Sequence, residues 1–283
     1  MAKRITVYNL KGGVGKTFLV FALSMYLQYS KPNSSILVVD MDQQSNSTSL
    51  FTAGSEDTIF NSDRNVSTLF SEEPYSGNPY DLIFKTEFDN IYILPSTLKL
   101  SVHEIKAYTI IDSSARLKQF LDKVDQDFDY IVIDNPPALN IYTTNSFMAA
   151  EYVVIPILAD KLAMFGLTLL ANTLKKIVRF NQSIKVTGLV PNMIDNRYKA
   201  HKQLLNLMTT IYHDAIILPP LGRRSMYQRM IDRRLTYEKF LRYTAYKEDV
   251  DNLGETMAQI VKRIEEDYNA SLSPDVRKGV IER

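Results

Sequence analysis

The chain predicts an α/β fold, a doubly wound and mostly parallel sheet with helices on both faces. Three observations carry this reading. Short apolar runs rich in Val, Ile and Tyr recur along the chain, most without the alternation of a half-exposed sheet. Between them lie stretches with helical spacing of apolar residues. A glycine-rich turn joins the first run to the first such stretch.

Taken in order, ITVYNL at 5–10 is apolar and β-prone, and it runs into Lys11-Gly12-Gly13-Val14-Gly15-Lys16-Thr17. The apolar spacing of 18–29 predicts a helix, and SILVVD at 35–40 a buried strand ending on acid. Residues 43–79 are rich in Ser, Asn, Thr, Gly and Pro, with apolar patches only at 59–60 and 66–70. They are expected to form a surface excursion with a short helix or two. Strands follow at 91–95, 130–134 (YIVID), 152–156, 186–191 and 215–218. Helices are expected at 113–124, 143–150, 161–180, 199–212 and 248–268, ahead of a poorly ordered polar tail. The alternation makes 1–268 one domain and 269–283 its tail.

With 283 residues, 45% of them hydrophobic, the chain can bury a large core. It has no cysteine, which excludes disulfides, iron–sulfur clusters and thiolate metal sites and points to a cytoplasmic protein. No stretch has the eighteen or so apolar residues of a membrane span. The net charge of +1 hides a division: residues 196–243 hold ten Lys/Arg against three Asp/Glu, so one basic region faces an acidic remainder.

The glycine-rich turn has the chemistry of a phosphate-binding loop. In G-x-x-x-x-G-K-[ST], successive backbone N–H groups point at phosphate oxygens, the lysine meets their charge and the hydroxyl reaches Mg²⁺. Here Leu10 replaces the first glycine, and Gly12, Gly13 and a second cation, Lys11, are supplied instead. The N–H groups of Gly13, Val14, Gly15, Lys16, Thr17 and Phe18 should line the nest, at a helix N-terminus that favours anions. Asp134 closes the YIVID strand, where an aspartate either holds Mg²⁺ or caps the strand before Asn135-Pro136-Pro137. Asp40 and Asp42, two residues apart after the second strand, can contact Mg²⁺ and orient an attacking water, or form an Asx turn. Asp42 is the more functional choice, because the segment after it is polar throughout.

The three segments KGGVGKT (11–17), DMDQQSN (40–46) and IDNPP (133–137) together resemble the ATP-site motifs of the ParA family of deviant Walker ATPases, a P-loop NTPase type in the ParA/MinD superfamily. The resemblance implies that Lys11 crosses a two-fold axis to the partner's ATP in a homodimer, that Asp42 orients water and that Asp134 holds Mg²⁺. Cations across such an interface offset the repulsion of two facing triphosphates. The family's usual proline after the second aspartate is Gln43 here. Gly188 to Asn192 resembles the family strand ending at the adenine side, with Asn192 the base-side residue; Pro219 is a second candidate by position.

In the basic region, Arg223, Arg224, Arg229, Arg233 and Arg234 crowd into twelve residues, with Lys199 and Lys202 on the preceding helix and Tyr227, Tyr237 and Tyr243 interspersed. Such a surface either stays solvated or binds DNA phosphates without reading sequence. The resemblance favours DNA, and implies a nucleoid-associated partition ATPase stimulated by a ParB-like centromere-binding partner. The first strand begins by Ile5, so the longer form with a helix-turn-helix is not expected. A membrane-cycling role like that of MinD would need an amphipathic C-terminal helix, and SLSPDVRKGVIER reads poorly as one.

Overall fold

A computed structural model describes residues 1–52, 59, 62–73, 75–107, 112–158, 161–195, 197–211, 217–223 and 225–271. Among them, strands β1 (Lys3–Val7), β2 (Ile36–Asp40), β3 (Phe84–Lys85), β4 (Ile91–Leu94), β5 (Tyr130–Asp134), β6 (Tyr152–Leu158) and β7 (Lys185–Asn192) form one sheet. Its order is β3-β4-β2-β5-β1-β6-β7, antiparallel only at the β3 edge. The helices are α1 (Lys16–Ser30), α2 (Asn46–Phe51), α3 (Lys99–Ala107), α4 (Arg116–Asp122), α5 (Ile141–Ala149), α6 (Lys161–Ile177), α7 (Lys199–Ile211), α8 (Ser225–Asp232), α9 (Tyr237–Leu241) and α10 (Lys247–Ser271).

The central strands are apolar at nearly every position because both faces are covered. Ile36 and Val38 of β2 point to a layer built with α1 and α10, where Leu19, Leu253, Met257 and Ile260 are buried. Leu37 and Val39 point the other way, to Leu117 and Leu121 of α4 and Ile141 of α5. A third cluster under α6 joins Tyr8, Phe147 and Ile155. The parallel strands bring their carboxyl ends to one edge, where ligands of open α/β sheets bind. Because β1 lies between β5 and β6, the loop after it opens at the middle of that edge.

Several boundaries differ from the sequence reading. β1 ends at Val7 rather than at residue 10, because the Asn9 side chain takes the chain out of the sheet: its Nδ2 donates to Pro156 O (2.7 Å) and its Oδ1 accepts from Lys11 N (2.9 Å). The helix expected at 113–124 is a 3₁₀ turn at Ser113–Ala115 leading into α4. Of the strand expected at 215–218, Ile217 makes one isolated bridge with Leu189, and 215–216 lie outside the described residues. Helices α3, α8 and α9 have no counterpart in the sequence reading. The excursion at 43–79 is also more than surface. Phe51 packs against Phe21 and Phe88 at 5.3 and 5.9 Å between ring centroids, and Phe70 meets Tyr142 edge-on at 4.9 Å. Helix α10 continues through residues 269–271 of the expected tail, and the rest of that tail, 272–283, lies outside the described residues.

At the opposite, amino edge, the buried Arg4 guanidinium joins the sheet to the turn before β5. It donates from Nε and Nη2 to Asp125 Oδ1 (3.1 and 2.7 Å) and lies 2.8 Å from Asp122 Oδ1. Without Asp125 the buried guanidinium keeps only the part-exposed Asp122 and loses two hydrogen bonds to a charged partner. Asp125→Ala is therefore expected to lower unfolding stability by about 2 kcal/mol in denaturant titrations, and a loss no larger than that of a surface substitution would contradict it.

Candidate active site

Two glycines shape the loop between β1 and α1. Gly13 and Gly15 have φ of 70° and 93°, in the left-handed region where a Cβ is disfavoured. At Gly15 a side chain would also meet Asn192, since a Cβ there would lie 2.3 Å from Nδ2. The first helical hydrogen bond of α1 runs from Leu19 N to Gly15 O (3.0 Å), so the N–H groups before it face out of the helix end. That terminus and those N–H groups offer the donors from which the expected anion cradle would be built.

Lys16 is buried, and its Nζ donates to Lys11 O (3.3 Å) across the loop. Burial lowers its pKa, while the nearby carboxylates of Asp134 and Asp42 act the other way. Lys11 itself is exposed on the outer lip. Thr17 Oγ1 donates to Asp134 Oδ2 (2.8 Å), and Ser47 Oγ donates to the same oxygen (2.8 Å). A hydroxyl and a carboxylate at one point are hard oxygen donors of the kind Mg²⁺ takes, so the residues fit that ion. The loop and the foot of β5 are in contact range, with a Cβ on Gly12 lying 3.8 Å from Pro137.

Asp40, also expected beside the metal, is the register partner of Asp134 on the adjacent strand, and its oxygens are engaged by the protein. Oδ1 accepts from Asp42 N (3.0 Å), and Oδ2 accepts from Thr48 N and Thr48 Oγ1 (both 2.8 Å). Asp40 here anchors the segment that follows it, one strand away from the point where Thr17 meets Asp134. Asp42 lies near enough for its charge to act on Lys16 and Asp134. Its Oδ1 accepts from Gln44 N (3.0 Å).

Beyond the loop, a cavity of about 680 Å³ is lined by Gly15, Phe18, Asn192, Tyr198, Arg223 and Tyr227 among others, with room for a nucleoside. Asn192 stands at its inner wall, donating from Nδ2 to Val14 O (2.8 Å) and accepting from Met193 N (2.8 Å). Pro219 is not among the lining residues; its carbonyl accepts from Thr256 Oγ1 on α10 (3.1 Å), which turns it away from the base side. Thr48, Ser47, Asn9 and Ser96 were missed by sequence reasoning. Only Asn9, a polar residue inside an apolar run, carried a signal.

The basic candidates separate by environment. Lys199 and Lys202 on α7, Arg223, and Arg229 and Arg233 on and just past α8 are exposed. Arg224 lies outside the described residues. Arg234 is turned inward, donating from Nε to Leu50 O (2.7 Å), pairing with Glu87 (2.7 Å) and lying over Phe88, so it is a structural cation rather than a surface one. The interspersed tyrosines belong mainly to the core. Tyr227 packs on Phe18, Tyr237 meets Tyr26 edge-on, and Tyr243 is half-buried beside Arg233. Stacking of nucleic-acid bases on Tyr227 and Tyr237 is therefore excluded by burial.

Burial pushes the Asp40 carboxyl up to about 8 and that of Asp134 to about 6, with the neighbouring Asp134 charge adding to the first effect. A carboxyl with a raised folded pKa stabilises the fold fully below its ordinary value and loses that contribution as pH rises through the raised one. Between the ordinary carboxyl value of about 4 and about 8 the folded protein holds protons that the unfolded chain has released, so the melting temperature of the ligand-free protein is expected to fall as pH rises through that window. Asp134→Asn should flatten that slope in melts across pH, and an identical slope in the variant would refute the coupling.

Comparison with known proteins agrees with this geometry. A family model described as "AAA domain" matches residues 2–186. The sporulation initiation inhibitor protein Soj of Bacillus subtilis is 31% identical over 217 residues, covering 76% of this chain and 82% of its own. A plasmid partition protein of Borrelia burgdorferi solved with AMPPNP superposes with a TM-score of 0.72 at 25% identity, covering 93% of this chain and 100% of its own. Cobyrinic acid a,c-diamide synthase of Mycobacterium smegmatis, solved with an ATP analogue and magnesium, superposes at 0.69 with 26% identity over 87% of this chain and 97% of its own. The protein is an ATPase whose cofactors are ATP and Mg²⁺. A phosphate cradle joined to a strand-end carboxylate, matched across three quarters of the chain, shows that it belongs to the ParA family of ATPases in the ParA/MinD superfamily.

Proposed function

We propose that this ATPase segregates DNA: ATP joins two copies face to face, the dimer binds DNA without reading its sequence, and a ParB-like centromere-binding partner stimulates hydrolysis and release. The protein would then be cytoplasmic and nucleoid-associated; among the described residues no helix is long and apolar enough to cross a membrane.

The observation that carries the reading is the pair of loop lysines in opposite settings. Lys16 is buried and aimed along the cradle, while Lys11 is exposed on its rim. One cation serves the phosphates of its own site, and the other is placed to reach a second nucleotide across an interface. Exposed apolar side chains support an interface. Leu98, just before α3, and Val102 and Ile105 on it follow helical spacing and are 71%, 68% and 81% exposed. Helix α3 is tied to the turn after β5 by Asn140 Nδ2 donating to Glu104 Oε1 (3.1 Å). Large exposed apolar patches mark association surfaces.

Within the site, Lys16 and the N–H groups at the start of α1 would hold the phosphates. Thr17 and Asp134 would hold Mg²⁺, which when bound neutralises charge on the phosphate oxygens. Asp42 would accept a hydrogen bond from the attacking water and fix its line of approach. The exposed cations, Lys199 and Lys202 on α7, Arg223 at the nucleotide cavity, and Arg229 and Arg233 on and just past α8, would meet a phosphate backbone.

Two outcomes follow. Lys11→Ala, and separately Val102→Asp with Ile105→Asp, should abolish the dimer formed with a non-hydrolysable ATP analogue in light scattering; retention of the dimer by Lys11→Ala would defeat the face-to-face arrangement. DNA binding measured by filter retention should require ATP rather than ADP, be lost in Lys16→Ala, and lose about one unit of log–log salt slope for each phosphate-contacting cation removed, as in Arg229→Ala. Equal binding with either nucleotide would remove the DNA cycle.

A further inference from the structure

The segment after β2 is closed on itself by a ring of buried hydrogen bonds that passes through Ser96, in the turn after β4. Asp42 N donates to Asp40 Oδ1 (3.0 Å), and Asp40 Oδ2 accepts from Thr48 N and Oγ1 (both 2.8 Å). Thr48 Oγ1 in turn accepts from Ser96 N (2.8 Å). Ser96 Oγ closes the ring by donating to Asp42 O (2.7 Å). Asp40, Thr48 and Ser96 are fully buried and Asp42 nearly so.

The ring grips Asp42 from both sides. Its N–H and its carbonyl are each held, so the peptide planes flanking its Cα are fixed and the direction in which its side chain leaves the backbone is fixed with them. Of the holding groups, Asp40 closes β2 and holds the Asp42 N–H from the sheet, whereas Thr48 belongs to the segment and would travel with it. Ser96 does not, since it follows β4 and lies 54 residues away in sequence. Its hydroxyl fixes the Asp42 carbonyl from outside the segment, as Asp40 fixes the N–H. No other side chain on β4 or after it reaches the Asp42 carbonyl, whose second donor is Ser45 N (2.9 Å) from within the segment, among the described residues.

We infer that Ser96 is a positioning residue for hydrolysis, acting through Thr48 and the Asp42 backbone to set the aim of the Asp42 carboxylate. The inference rests on the reading of Asp42 as the group that orients water. Misplacing such a group by a fraction of an ångström slows the chemical step and leaves ground-state binding as it was.

The test uses the full chain with ATP, Mg²⁺ and DNA. Ser96→Ala is expected to lower kcat about tenfold, which is about 1.4 kcal/mol, while affinity for a fluorescent ATP analogue stays within about twofold. Thr48→Val, which keeps shape and breaks the same ring, should produce the same loss. The double variant should be no slower than either single one, because one ring can be opened only once. Amide exchange across 42–48 should rise in Ser96→Ala with the analogue bound, and that of 130–134 should not. A full kcat in Ser96→Ala, a matching fall in nucleotide affinity, or additive losses in the double variant would each overturn the inference. Asp42→Ala separates the two readings: if it turns over normally, the assignment of Asp42 fails and the role of Ser96 with it, whereas a silent Ser96→Ala beside an inactive Asp42→Ala refutes Ser96 alone.

Discussion

The site depends on one buried carboxylate. Asp134 closes the strand that lies between β1 and β2, so its register partners are Val7, whose chain becomes the phosphate loop, and Asp40, whose chain becomes the segment carrying Asp42. It is wholly out of contact with solvent, and a carboxylate there is costly unless donors surround it. Thr17 from the loop, Ser47 from the segment and the N–H of Asn135 supply them. The contacts from Thr17 and Ser47, which help make the charge tolerable, therefore also register the loop and the segment to the end of β5.

This explains why a polar stretch that looks like surface is folded into the molecule. The segment after β2 has few apolar residues, yet Ser47 and Thr48 are buried because their hydroxyls and backbone are consumed by Asp134 and Asp40. Farther on, Phe51, Val66, Leu69 and Phe70 anchor the excursion in the two main core layers. Polar satisfaction and a few aromatic side chains replace the continuous apolar stripe by which buried segments are usually recognised.

The basic region shows the converse. Its composition is that of a uniform cationic surface, but the fold distributes the members among distinct tasks. Arg223 borders the nucleotide cavity, Arg229 lies near the Tyr246 ring, and Arg234 is enclosed against Glu87 and Phe88. Net charge sets the long-range field in which a polyanion would approach. Which cations can touch it depends on the packing of α8 and α9 against α1, where Tyr227 and Tyr237 are spent on the core.

Sequence alone determined the parallel strands and the longer helices, the glycine-rich turn and its two lysines, and the acids at the ends of β2 and β5, because these depend on local spacing: period, glycine φ and the residue that ends a strand. The DMDQQSN and IDNPP segments were legible for the same reason. What only the tertiary structure decided were contacts between residues far apart in the chain, where no period or local propensity constrains the pairing. Asp40 holds Thr48, Ser96 reaches Asp42 across 54 residues, Pro219 turns to α10, and Arg234 points inward. Helices α3, α8 and α9 also escaped sequence reading, since they are short and held by packing rather than by propensity.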